Sequence, residues 1–132
     1  MDQSEILPGV MTVLEFLKTN HQPIALGSAS KNARPILEKT GILSYFDAIV
    51  DGNDVSNAKP DPEVFLQAAQ KLGISNENSI VFEDSVAGIQ AANIASMTSI
   101  GIGEANILNE AKFNFQDFTY IDEAFLNSLI NN

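Results

Sequence analysis

The chain has 132 residues, the size of one domain, and its composition of 45% hydrophobic and 18% charged residues is that of a globular chain rather than a disordered, collagenous or coiled-coil one. Seven Lys and Arg against 17 Asp and Glu leave a formal charge of −10, so the field of the molecule repels polyanions, and neither nucleic acid nor an anionic membrane is an expected partner. Zero Cys and a single histidine, His21, exclude a disulfide framework, a thiolate metal site and any centre built on several imidazoles, leaving only a hard cation held by carboxylate oxygens.

The start, MDQSEILPGV, lacks a basic segment followed by an apolar one, and no apolar run approaches the ~18 residues needed to span a bilayer. A soluble cytoplasmic protein is therefore expected. After Pro8 and Gly9, the apolar positions Val10, Val13, Leu14 and Leu17 predict an amphipathic helix. Ile24, Ala25 and Leu26 predict a strand that stops in the small-residue loop Gly27, Ser28, Ala29, Ser30. A helix from about Lys31 to Lys39 follows, with Pro35 in its first turns and Gly41 as its stop.

The alternation then repeats. Phe46, Ala48, Ile49 and Val50 read as a strand ending at Asp51 and Gly52, with a polar loop over Asn53 to Asn57. Pro60, Asp61, Pro62 and Glu63 open a helix whose apolar face is Val64, Phe65, Ala68, Ala69 and Leu72, stopped by Gly73. Ile80, Val81 and Phe82 form a strand ending on Glu83 and Asp84, and Ser85 caps a helix bearing Val86, Ile89, Ala92 and Ile94. A strand over Ser99 to Gly103, a polar loop and a helical segment from Asp122 to Ile130 complete the chain.

Repeated strand and helix with short, almost wholly apolar strands predict an α/β fold: a doubly wound, Rossmann-like parallel sheet with helices on both faces. Right-handed crossovers put the carboxyl ends of the strands on one edge, and with them Ser28, Asp51, Glu83 and Asp84.

Three features carry candidate chemistry. Gly27-Ser28-Ala29-Ser30-Lys31-Asn32 joins a strand to a helix, where free N–H groups and hydroxyls suit a phosphate, although a serine there also serves as a plain helix cap. Lys59 precedes Pro60-Asp61-Pro62, a stiff loop able to hold an ammonium over the strand ends; the bland reading is a solvated surface lysine. Glu83 and Asp84 place two carboxylates at a strand terminus, where Mg²⁺ would relieve their repulsion, against the simpler role of capping the next helix. Gly88, Ala91 and Ala92 read as close packing against the sheet, and His21 as a surface residue.

In order and spacing these features resemble the later motifs of the haloacid dehalogenase-like superfamily of phosphotransferases. The strings IALGSASKN, AKPDPEVFLQAA and SIVFEDSVAGIQAA are similar to the β-phosphoglucomutase branch, over about Ile6 to Ile102. The resemblance implies that Ser28 and Lys59 bind the transferring phosphoryl group. It further implies that Ala29, Ser30, Lys31 and Asn32 line the side of a hexose phosphate substrate, and that Glu83 and Asp84 hold Mg²⁺. The reaction implied is interconversion of β-glucose 1-phosphate and glucose 6-phosphate.

The family's nucleophile and acid/base residue form an Asp-x-Asp pair on a central strand, and no Asp-x-Asp occurs here. Residues 1–132 are thus expected to be the C-terminal portion of one core domain, lacking the first central strand and the helical cap, and inactive alone because the nucleophile is missing. Loss of that strand would leave two unpaired edges, at Ile24–Gly27 and Ile80–Glu83, which are expected either to close on each other or to pair with another chain, allowing self-association. Other readings are a sugar-phosphate or phosphoglycolate phosphatase of the same superfamily, a receiver-like or flavodoxin-like module, and a non-catalytic remnant that binds Mg²⁺ or phosphate.

Overall fold

A computed structural model describes residues 9–28, 35, 38 and 41–130. The elements in order are α1 (Val10–Thr19), β1 (Ala25–Gly27), β2 (Ala48–Val50), α2 (Glu63–Leu72), β3 (Ile80–Glu83), α3 (Val86–Ile94), β4 (Thr98–Ile102), β5 (Phe113–Phe115) and α4 (Glu123–Ile130). All strand pairs are parallel, as expected when each strand is followed by a crossover. Of the helix expected over 31–39, only Pro35 and Glu38 are described, and both are helical.

Alternation within the strands divides the apolar residues between two faces. Val50 and Val81 lie in a core with Val64, Phe65, Ala68 and Ala69 of α2 and Ala91 and Ala92 of α3. Ile100 and Ile102 point the other way, into a core with Val13 of α1, Phe118 and Ile121 of the turn before α4, and Leu126 of α4. Phe82, next to Val81, packs on this second core, as the two-residue period of a strand requires. The fold is the expected α/β arrangement with helices on both faces.

Two expectations need correction. The strands form two separate sheets, β1 with β2 and β3-β4-β5, so the edges of β1 and β3 have not closed on each other. The helical layer accounts for the separation: α2 covers β1 and β2, α3 covers β3 and β4, and the two helices pack together. The two sheets share one core through these helices, and Lys59, Phe82 and Phe118 line the space left between them.

The second correction is β5, which lies within the stretch read as a polar loop. Its pattern, Phe113-Asn114-Phe115, is too short to show periodicity. Pairing with β4 and edge-on packing of Phe113 and Phe115 on Phe125, at 5.1 and 4.9 Å between ring centres, make it a strand. No helix among the described residues is long and apolar enough to cross a membrane.

Candidate functional site

The break between the sheets opens a cleft of about 270 Å³ at the carboxyl ends of β1 and β3. Gly27 and Ser28 line it from β1 and its loop, Lys59 from the loop before α2, and Phe82, Glu83 and Asp84 from β3, while Ile102 and Phe118 close its apolar side. Four residues singled out from sequence, Ser28, Lys59, Glu83 and Asp84, therefore share one cavity. Asp51 does not line it; its carboxylate is buried and turned into its own loop, accepting from the Asn53 N–H at 2.9 Å. Ala29, Ser30, Lys31 and Asn32 lie outside the described residues. His21 is exposed, as expected.

Lys59 is placed by Glu63, a residue of the helix start that follows its loop. The Glu63 carboxylate, in the first turn of α2, accepts from the backbone N–H groups of Ser56 and Asn57 at 2.9 and 3.0 Å and from the Gln67 side chain at 2.9 Å. The Ser56 hydrogen bond acts first, against a smaller desolvation effect and together with bonds from Asn57 and Gln67, to hold its carboxyl below the usual range. The loop is thereby tied to the helix, and the Lys59 ammonium lies 5.1 Å from the centre of the Phe65 ring. A signal was present in the sequence, since a Glu at a helix start readily turns back to cap the preceding loop.

The ammonium of Lys59 meets Glu83 Oε2 at 2.9 Å, with side chains only 18% and 10% exposed. Glu83 Oε1 accepts from the N–H of Asp84 and Ser85 at 3.0 and 3.2 Å and from the Ser85 hydroxyl at 3.1 Å. Burial pushes the Glu83 carboxyl up, but the hydrogen bond and charge of Lys59, together with the hydrogen bonds from Asp84 and Ser85, outweigh it and the net direction is down. Asp84 moves the other way. Burial and then the neighbouring Glu83 raise its carboxyl above the ordinary range.

The site thus presents one cation, one hydroxyl and two carboxylates, one of which is saturated with donors. Asp84 is the carboxylate whose negative charge is opposed by its surroundings, a situation a divalent cation relieves. An all-oxygen donor set fits Mg²⁺. Among the described residues no group of three or more His, Cys, Asp or Glu is gathered to hold a metal. Water and substrate oxygens would complete the shell, as is usual for this ion.

Ser28, Lys59, Glu83 and Asp84 thus converge on one cleft at the carboxyl ends of parallel strands from two α/β sheets. The chain belongs to the haloacid dehalogenase-like hydrolase family, whose profile matches residues 1–95. It is 40% identical over 100 residues to a β-phosphoglucomutase of Bacillus subtilis, covering 76% of this chain and 44% of that protein. It is 38% identical over 114 residues to a phosphorylated carbohydrates phosphatase of Thermotoga maritima, covering 83% of this chain and 52% of that protein. The crystal structure of a β-phosphoglucomutase from Clostridium difficile superposes with a TM-score of 0.93 at 37% identity, over 99% of this chain and 59% of that one. The chain spans about half the length of the curated relatives it matches.

Proposed function

We propose that residues 1–132 are the phosphate- and metal-binding portion of a core domain whose complete enzyme transfers a phosphoryl group between the C1 and C6 positions of glucose phosphate. The observation that carries this reading is the convergence of Ser28, Lys59, Glu83 and Asp84 on one cleft at the strand ends. The Lys59 ammonium, already screened from bulk water, attracts the phosphoryl oxygens, and the Ser28 hydroxyl donates to them. Ala29, Ser30, Lys31 and Asn32, next in sequence after Ser28, are assigned to the phosphate and sugar-phosphate side by the family resemblance. Asp84, with Glu83 beside it, holds Mg²⁺, which supplies neutralisation of the phosphoryl charge when bound.

Binding alone does not make a catalyst here. Phosphoryl transfer to the enzyme needs a carboxylate in line with the leaving oxygen, and the chain has no Asp-x-Asp. A strand lying in the open space between β1 and β3 would bring such a carboxylate to the cleft, so activity is assigned to the assembled protein and not to these 132 residues alone. A sugar-phosphate phosphatase is the second reading, favoured by the similarity to the phosphatase of Thermotoga maritima and to a fructose-1-phosphate phosphatase of Escherichia coli at 36% identity.

The test is turnover of β-glucose 1-phosphate with Mg²⁺ and a bisphosphate primer, by the chain alone and by the chain joined to an upstream segment bearing Asp-x-Asp, following glucose 6-phosphate and free phosphate together. Glucose 6-phosphate from the joined protein only, abolished by Asp84→Ala, supports the mutase. Free phosphate as sole product moves the assignment to the phosphatase, and turnover by the chain alone overturns the division of labour.

A further inference from the structure

Gly88 stands in the first turn of α3 with a φ outside the left-handed region, unlike Gly9, Gly41, Gly73 and Gly103. Its backbone conformation is therefore open to any residue, and glycine there weakens the helix relative to alanine. What it provides is space. A Cβ on Gly88 would fall 2.0 Å from Glu83 Cδ, 2.1 Å from Cγ and 2.3 Å from Oε2.

We propose that Gly88 is a positioning residue, whose missing side chain lets Glu83 lie across the first turn of α3 and so reach Lys59 at the cleft. The atoms in conflict are the far end of a side chain, so the fold can accommodate alanine by letting Glu83 swing away. Moving it breaks the 2.9 Å contact with Lys59 and releases the Asp84 N–H, Ser85 N–H and Ser85 hydroxyl bonded to Oε1. Gly88 also donates its N–H to Ser85 Oγ at 3.0 Å, so helix cap and carboxylate cradle are one structure. A methyl at this position thus leaves the helix intact and dismantles the Lys59–Glu83 pair. The consequence for phosphate and metal binding rests on the function proposed above; the geometric effect on Glu83 does not.

The experiment compares the 132-residue chain with Gly88→Ala, Glu83→Ala and the double variant, by amide NMR at Asp84 and Ser85 and by titration with Mg²⁺ alone. The expected result is a folded Gly88→Ala protein whose Asp84 and Ser85 signals move to the positions seen in Glu83→Ala, with no further movement in the double variant. Where the parent binds Mg²⁺, the same substitution weakens it about tenfold or more, the usual loss when a ligand's supporting contacts are removed. Signals unmoved by Gly88→Ala overturn the proposal, as do shifts of full size that persist in the Glu83→Ala background. If Gly88→Ala alone fails to fold, recovery of the fold in the double variant supports the steric account and continued failure overturns it. Absence of Mg²⁺ binding in the parent would count against the proposed function, while the NMR comparison still decides the role of Gly88.

Discussion

Lys59 and Glu83 are 24 residues apart in the chain, yet their charged ends meet at 2.9 Å across the break between the two sheets. Lys59 belongs to the loop that follows β2, and Glu83 ends β3, so the pair spans the cleft it lines. Both side chains are largely withdrawn from water, where an ion pair is screened less than at a surface and loss of one partner is costly.

Replacing Lys59 by Met should therefore destabilise the chain by about 2 kcal/mol, because Glu83 keeps its charge and loses its partner. Urea denaturation measures the cost. The double variant Lys59→Met/Glu83→Gln should be less destabilised than Lys59→Met alone, since no buried charge is left uncompensated. Equal costs for the two would mean that water already serves Glu83 in the parent protein.

The two carboxylates predict opposite pH dependences. Glu83 sits below its unfolded value, so its stabilising contribution is complete above an ordinary glutamate pKa of about 4.3 and fades as pH falls toward its folded value. Asp84 is raised, so the folded state holds its proton more tightly, and stability is lost as pH climbs from its unfolded value through its folded one. Asp84→Asn should consequently be more stable than the parent at pH 7, and the advantage should vanish in acid. Thermal melts from pH 3 to 7 give the comparison, and an Asp84→Asn protein less stable than the parent at neutral pH would contradict it.

Ser85 ends β3's turn into α3 and accepts the Gly88 N–H through its hydroxyl. Ser85→Ala should cost about 1 kcal/mol of stability, the ordinary value of an N-cap, and Ser85→Thr should recover most of it, since a hydroxyl that accepts from Gly88 and donates to Glu83 is restored. If alanine were neutral by urea denaturation, the cap would be contributing nothing beyond what water supplies.

Glu63 is half-buried and gathers the Ser56 and Asn57 amides onto α2. Glu63→Ala should leave the fold in place while the Ser56 and Asn57 amides exchange faster with solvent, readable by hydrogen exchange. Phosphate binding, if it uses Lys59, should weaken with it. Unchanged exchange at both amides would show that the loop is held by other contacts.

Much of the arrangement was legible in the sequence because it rests on local signals. The helices over Val10–Thr19, Glu63–Leu72 and Val86–Ile94 follow from apolar spacing and from Pro62, Gly73 and Ser85 at their ends, all of which act through neighbours in the chain. Ser28, Lys59, Glu83 and Asp84 were visible as candidates, since parallel topology brings strand ends to one edge. Glu63 was visible as a helix start but not as the anchor of the Lys59 loop, and Gly88 as packing but not as the clearance for Glu83.

The sequence by itself determined the class of fold, the acidic field and the residue types available to bind a phosphate and a hard cation, because composition and short-range periodicity are properties of the chain alone. Tertiary structure decided that β1 and β3 stand apart, that Phe113–Phe115 is a strand, and that Lys59 spends its charge on Glu83. Each of these depends on which surfaces meet after the helices pack. Contacts between residues tens of positions apart are selected by the whole core, and no local pattern encodes them.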